Sequence, residues 1–158
     1  MLHIKSLVKK TRTLFKVNWA FRMLLAEAFV LLGVGRMSVL IISFRKIATW
    51  MGEVGKESSA SINPSQTHQL IQVGSAIETI SKYTPWKSNC FAQALCSHWI
   101  LKRKGIDHTI YFGVQKDAMK TIKAHAWLRA NERIVTGRKG HKSFTVVGKF
   151  AFLKESTV

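Results

Sequence analysis

Residues 88–105 read SNCFAQALCSHWILKRKG, and their punctuation predicts a helix over 90–104. Ser88 or Asn89 suits the N-cap, Lys102, Arg103 and Lys104 suit the last turn, and Gly105 suits the stop. Both cysteines of the chain lie on this helix, six residues apart, a gap that fits no common zinc or redox spacing. Ala92, Leu95, Cys96 and Trp99 fall at i, i+3, i+4 and i+7, so Cys96 reads as a small core residue. Cys90 falls in the first turn, where unpaired backbone N–H groups and the positive end of the helix dipole favour a thiolate. The same N–H groups suit an oxyanion formed during acyl transfer.

Working outward, the next question is whether a base exists for that thiol. AHAWLRANERIVTG (124–137) opens an alternating strand at His125 and turns at Asn131 and Glu132 into a second strand. An imidazole both orients and deprotonates a thiol when the fold brings it within hydrogen-bond reach, whereas the plain alternative is a histidine packed beside Trp127. Two further strands are expected at 108–114 (HTIYFGV) and 144–150 (FTVVGKF). His98 is out of phase with Cys90, and His3, His68, His108 and His141 lie in polar or basic surroundings with no obvious partner. No HExxH or Cys/His cluster occurs, so neither a metal nor a cofactor is expected. Trp86 and Trp127 adjoin the two candidate catalytic residues and suit either the walls of a peptide cleft or core packing.

Upstream, apolar residues recur at helical spacing over Phe21–Leu32 and again over Leu40–Ala48, which predicts two packed helices separated by Gly33 and Gly35. Glu27 and Arg36 cut this apolar region into runs of about eight residues, short of the roughly 20 that a bilayer needs. GEVGKESSASINPSQ (52–66) reads as a linker or mobile loop, and a helix follows over 65–82, ended before Pro85. The organisation expected is therefore an N-terminal helical region (1–51), a linker (52–66) and a core (67–158), forming one compact unit.

The chain carries 25 Lys and Arg against 8 Asp and Glu, a formal charge of +17. That balance raises the question of an anionic partner. The basic residues are spread along the chain with few interleaved aromatics, so no nucleic-acid partner is expected. Lys9, Lys10, Arg12, Lys16, Arg22, Arg45 and Lys46 suit peripheral membrane contact, but a solvated helix face is the favoured reading. Two cysteines without a secretory signal point to a reducing, cytoplasmic setting.

The stretches WKSNCFAQALCSHWILKRKGI, TIYFGVQK, AHAWLRANERIVTG and FTVVGKF, with the N-terminal LLAEAFVLLGVGRMSVLIISFRKIATWMG, resemble the leader peptidase of lasso peptide biosynthesis, a transglutaminase-like cysteine protease. The resemblance covers most of the chain and is most specific at the Cys helix and the AHAW strand. It implies an α+β fold, in which N-terminal helices join a papain- or transglutaminase-like core with a Cys-bearing helix packed on an antiparallel sheet. It further implies that Cys90 attacks the bond joining leader to core in a ribosomally made precursor, with His125 as base and then acid. The freed core passes to a separate ATP-dependent cyclase that closes the macrolactam. Many family members carry a fused leader-recognition domain. The expectation here is the split form, in which a separate recognition protein presents the precursor. The family's orienting acid lies about twelve residues beyond the His, and position 137 here is Gly. That leaves Glu132, Asn131, Asp117 or no side chain as the third member, a backbone carbonyl or water orienting His125 in the last case. Two other readings stay open: a transglutaminase-like acyltransferase using the same Cys and His, and a non-catalytic basic binding module.

Overall fold

Asn18 caps the first helix, its side-chain oxygen accepting from the Phe21 N–H, and the apolar run that follows stays helical as α1, Trp19–Ile41. The structure, a computed structural model, describes residues 18–116 and 121–154; Asp117 and the basic residues before Asn18 lie outside them. The expected break at Gly33 and Gly35 does not occur. Both glycines instead permit close approach: a Cβ on Gly33 would stand 3.1 Å from the Trp86 ring, and one on Gly35 would stand 3.1 Å from the Ala92 carbonyl oxygen. The helix ends only at Ile42, and α2 follows at Phe44–Trp50.

Segment 52–66, expected as a linker or mobile loop, is fastened to the sheet. Glu53–Val54 form strand β1. The Gly55 N–H donates to the Lys149 carbonyl, the Ser58 N–H donates to Thr109 Oγ1 (2.8 Å), and Arg129 donates to the Ser58 carbonyl. A backbone carbonyl, the Thr109 hydroxyl and the Arg129 guanidinium satisfy the backbone here in place of an apolar anchor. Helix α3 then runs Pro64–Ser81, with Pro64 in its first turn where a missing N–H costs nothing. The predicted Cys helix is α4, Cys90–Arg103.

Four strands complete the sheet: β2 (His108–Lys116), β3 (Ile122–Ala130), β4 (Arg133–Thr136) and β5 (Thr145–Phe152). Their order is β1-β5-β2-β3-β4, with every pairing antiparallel. The turn between β3 and β4 falls at the expected place, with Asn131 in the left-handed region at φ 52°. Ala126, Leu128 and Ala130 alternate into the core with Ile110 and Phe150 of the neighbouring strands. Against them pack Leu95, Cys96, Ile100 and Leu101 of α4, Leu24, Ala28 and Leu32 of α1, and Leu70, Val73 and Ile77 of α3. Four helices and five antiparallel strands among the described residues thus share one core, the α+β arrangement expected from the sequence. Its consequence is positional: α4 packs on β3 and β4, with Cys90 of its first turn and His125 of β3 lining the same cleft.

Candidate active site

Asn89, not Ser88, is the N-cap of α4: its side-chain oxygen accepts from the Ala92 N–H at 3.0 Å, and its carbonyl accepts from Gln93 N. Cys90 is therefore the first residue of the helix, half-buried. The next residue, Phe91, anchors that turn. Its ring meets Phe112 of β2 edge-on at 5.0 Å, and Phe44 packs on both. Before the cap, the Thr84 hydroxyl lies 2.8 Å from the Ser88 hydroxyl, and Gln93 donates an amide N–H to the Ser88 carbonyl at 2.8 Å. The turn that presents the thiol is thus held from both sides.

Cys96 sits fully buried, its Sγ near the Ala28 carbonyl at 3.8 Å. Burial, helped by the Glu27 carboxylate, pushes this thiol far above the ordinary range. The two cysteines therefore occupy different environments, Cys96 in the core and Cys90 at an open end.

His125 is half-buried on β3, and its Nε2–H donates to the Gly137 carbonyl at 2.7 Å. A carbonyl only accepts, so this bond assigns the proton of the neutral ring to Nε2 and leaves the Nδ1 lone pair for a thiol proton. Of the candidates for the third member, Glu132 and Asn131 lie within the described residues and neither is bonded to the ring. Glu132 is exposed at the turn and lines a separate hollow with His141, while Asn131 donates to Gln66 Oε1. A backbone carbonyl stands where the acid was expected. Thr136, the residue before it, is buried and hydrogen-bonded to Ser97 Oγ at 2.9 Å, and Ser97 donates in turn to the Gln93 carbonyl. This chain ties the carbonyl that holds His125 to the helix that carries Cys90.

Cys90 and His125 line one cleft of about 920 Å³ between α3 and β4. Gly74 makes the closeness of α3 to β4 possible, since a Cβ there would lie 2.6 Å from the Val135 carbonyl oxygen. Lys82, Arg133, Arg138 and Lys139 contribute to the rim, together with Glu78, which pairs with Lys82. The sequence reading missed these residues, because only the fold brings α3 beside β4. Trp86 and Trp127 do not line the cleft. Trp86 packs on Phe29 and Gly33 of α1, and Trp127 stacks between Tyr111 and the His125 ring, at 5.5 and 5.8 Å.

The sequence expectation that His108 lacks a partner is also corrected. His98 and His108 are both fully buried, with His98 Nδ1 2.8 Å from His108 Nε2. His98 Nε2 lies 2.9 Å from the Trp50 carbonyl and His108 Nδ1 2.7 Å from the Ile106 carbonyl, so two neutral rings supply two N–H groups to three contacts. His141 bonds the Arg138 carbonyl. No group of three or more His, Cys, Asp or Glu among the described residues is placed to hold a metal.

Residues 36–149 match the family model of the transglutaminase-like superfamily. The chain belongs to that superfamily. No curated protein and no solved structure matches it. The matched span runs from within α1 to within β5 and includes both Cys90 and His125. A transglutaminase-like domain is compatible with cysteine-peptidase or acyltransferase chemistry, two outcomes of one acyl-enzyme that differ only in the nucleophile that resolves it.

Proposed function

We propose that this transglutaminase-like chain is a cysteine peptidase that removes the leader from a ribosomally made lasso peptide precursor, in the cytoplasm and before ATP-dependent closure of the macrolactam by a separate enzyme. The observation that carries the catalytic part is the shared cleft, which holds a helix-N-terminal thiol and an imidazole whose Nε2–H is engaged by the Gly137 carbonyl. The resemblance at the Cys helix and the AHAW strand carries the substrate. Cys90 is the nucleophile, and His125 Nδ1 takes its proton. The thiolate attacks the scissile carbonyl, and the N–H groups at the start of α4 stabilise the tetrahedral oxyanion. His125 then gives the proton to the departing amine of the core peptide. Water enters, His125 accepts its proton, and the thioester is hydrolysed to release the leader carboxylate. A leader-recognition protein and the cyclase are the partners that belong to this reading.

The test is incubation of precursor peptide with the chain and its partners, followed by intact mass of the products. Cys90→Ala is expected to abolish cleavage with the fold intact, whereas Cys96→Ala is expected to retain it and lose about 1–2 kcal/mol of stability from the small cavity. Cleavage by Cys90→Ala at the parent rate would remove the nucleophile assignment. A leader mass that carries an added amine instead of water would make the chain an acyltransferase.

A further inference from the structure

Helix α1 is apolar on both sides. Its inner face, Leu24, Leu25, Ala28 and Leu32, is buried against α3 and α4. Trp19, Met23, Val30, Val34, Met37 and Ile41 follow one another at steps of three, four or seven residues, which places them in one stripe on the opposite side. They are 72, 53, 61, 47, 53 and 71 % exposed. By helix geometry no charged residue falls within that stripe. Arg22 and Arg36 border one edge. Glu27 borders the other and is paired with Arg103 of α4. An uncovered apolar face of this length calls for an occupant.

The helix has the length and hydropathy of a membrane span, 23 residues that contain an 18-residue window of mean hydropathy 1.9. Its inner face is committed to the protein core, however, so lipid cannot surround it, and only an in-plane contact remains. Charge selects among candidates for that contact. The chain carries +17, which makes a second copy of itself a repelled partner and an anionic surface an attracted one. Arg45 and Lys46 lie exposed at the start of α2, and Lys5, Lys9, Lys10, Arg12 and Lys16 precede α1 in sequence. We propose that the outer stripe of α1 docks in the plane of an anionic lipid bilayer, its apolar side chains reaching the acyl boundary and the exposed Arg45 and Lys46 meeting the headgroups. This proposal departs from the solvated-face reading favoured from sequence for the basic residues around α1 and α2.

The test is flotation of the full chain with vesicles of mixed phosphatidylglycerol and phosphatidylcholine, and with phosphatidylcholine alone, at low salt and at about 1 M salt, where charges beyond roughly 3 Å are screened. The expected result is binding to the anionic vesicles only, weakened by salt. The neutral double change Val30→Ser with Met37→Ser is expected to lower it by about tenfold or more with helicity unchanged. Arg45→Gln with Lys46→Gln is expected to weaken low-salt binding and leave the fold untouched. Three outcomes overturn the proposal: no binding to anionic vesicles, anionic binding indifferent to the two serines, or a dimer that the same two serines dissociate.

Discussion

At Gly137 the backbone turns with φ +74°, and an added Cβ would stand 2.5 Å from the Ala126 carbonyl oxygen and 2.7 Å from the Trp127 Cβ. The same residue offers the carbonyl that holds His125 Nε2–H. A side chain at this position is therefore excluded twice over, by the left-handed dihedral and by contact with fixed backbone. Gly137→Ala is expected to cost about 2 kcal/mol or more and to lower turnover by displacing the imidazole. Gly137→Asp, which restores the carboxylate familiar from related triads, is expected to do the same. Thermal melting and single-turnover cleavage read both effects. A gain of activity in the Asp variant would show that the ring lacks an acid and that the carbonyl does not substitute for one.

Three elements meet at the buried histidine pair: the end of α2 through the Trp50 carbonyl, α4 through His98, and β2 through His108. Two neutral rings bring two N–H groups to three contacts, and a third proton would complete the row only by burying a positive charge. Burial prevails and holds both rings well below the ordinary histidine range. The neighbouring ring and Lys102 push His98 down further; Lys102 also lowers His108, while the Ile106 carbonyl and Asp107 oppose that shift. Both rings are neutral in the folded chain, whereas the unfolded chain takes up their protons near pH 6.5. Stability from this junction is then full above about pH 6.5 and falls as the pH drops below it, because the unfolded state binds more protons. Denaturant midpoints at pH 7.5 and pH 5 are expected to show that loss, and His108→Asn is expected to be less stable at pH 7.5 but to lose less on acidification. Stability that rises on acidification would mean the pair takes the third proton.

Across the whole molecule, 25 basic residues face 8 acidic ones. Among the described residues, the ion pairs Glu53–Lys56, Glu78–Lys82 and Glu57–Lys149 join partly or largely exposed groups, and Glu27, paired with Arg103, is the better covered carboxylate. Exposed pairs contribute little, so repulsion from the net charge of +17 is the larger electrostatic effect. Raising ionic strength from about 10 to about 150 mM shortens the screening length from roughly 30 to roughly 8 Å. Screening is expected to raise Tm by about 3 °C, the equivalent of about 1 kcal/mol for a chain of this size. A Tm that falls over this range would show that attraction dominates.

Sequence alone determined what depends on near neighbours. The α4 boundaries follow from Asn89, the basic last turn and Gly105; the division between Cys90 and Cys96 follows from helical phase; the β3–β4 turn follows from Asn131 and Glu132. Each rests on periodicity or on a cap that acts within a few residues. Tertiary structure decided what depends on approach across the chain. Gly33 and Gly35 read as breaks because no local signal announces Trp86 and Ala92 beside them. His108 read as isolated because its partner sits on a different element. The group that orients His125 is a backbone carbonyl, which every residue possesses and no residue name reveals. The apolar outer stripe of α1 likewise became visible only when packing assigned the opposite stripe to the core, since an all-round apolar helix does not disclose from sequence which side faces in.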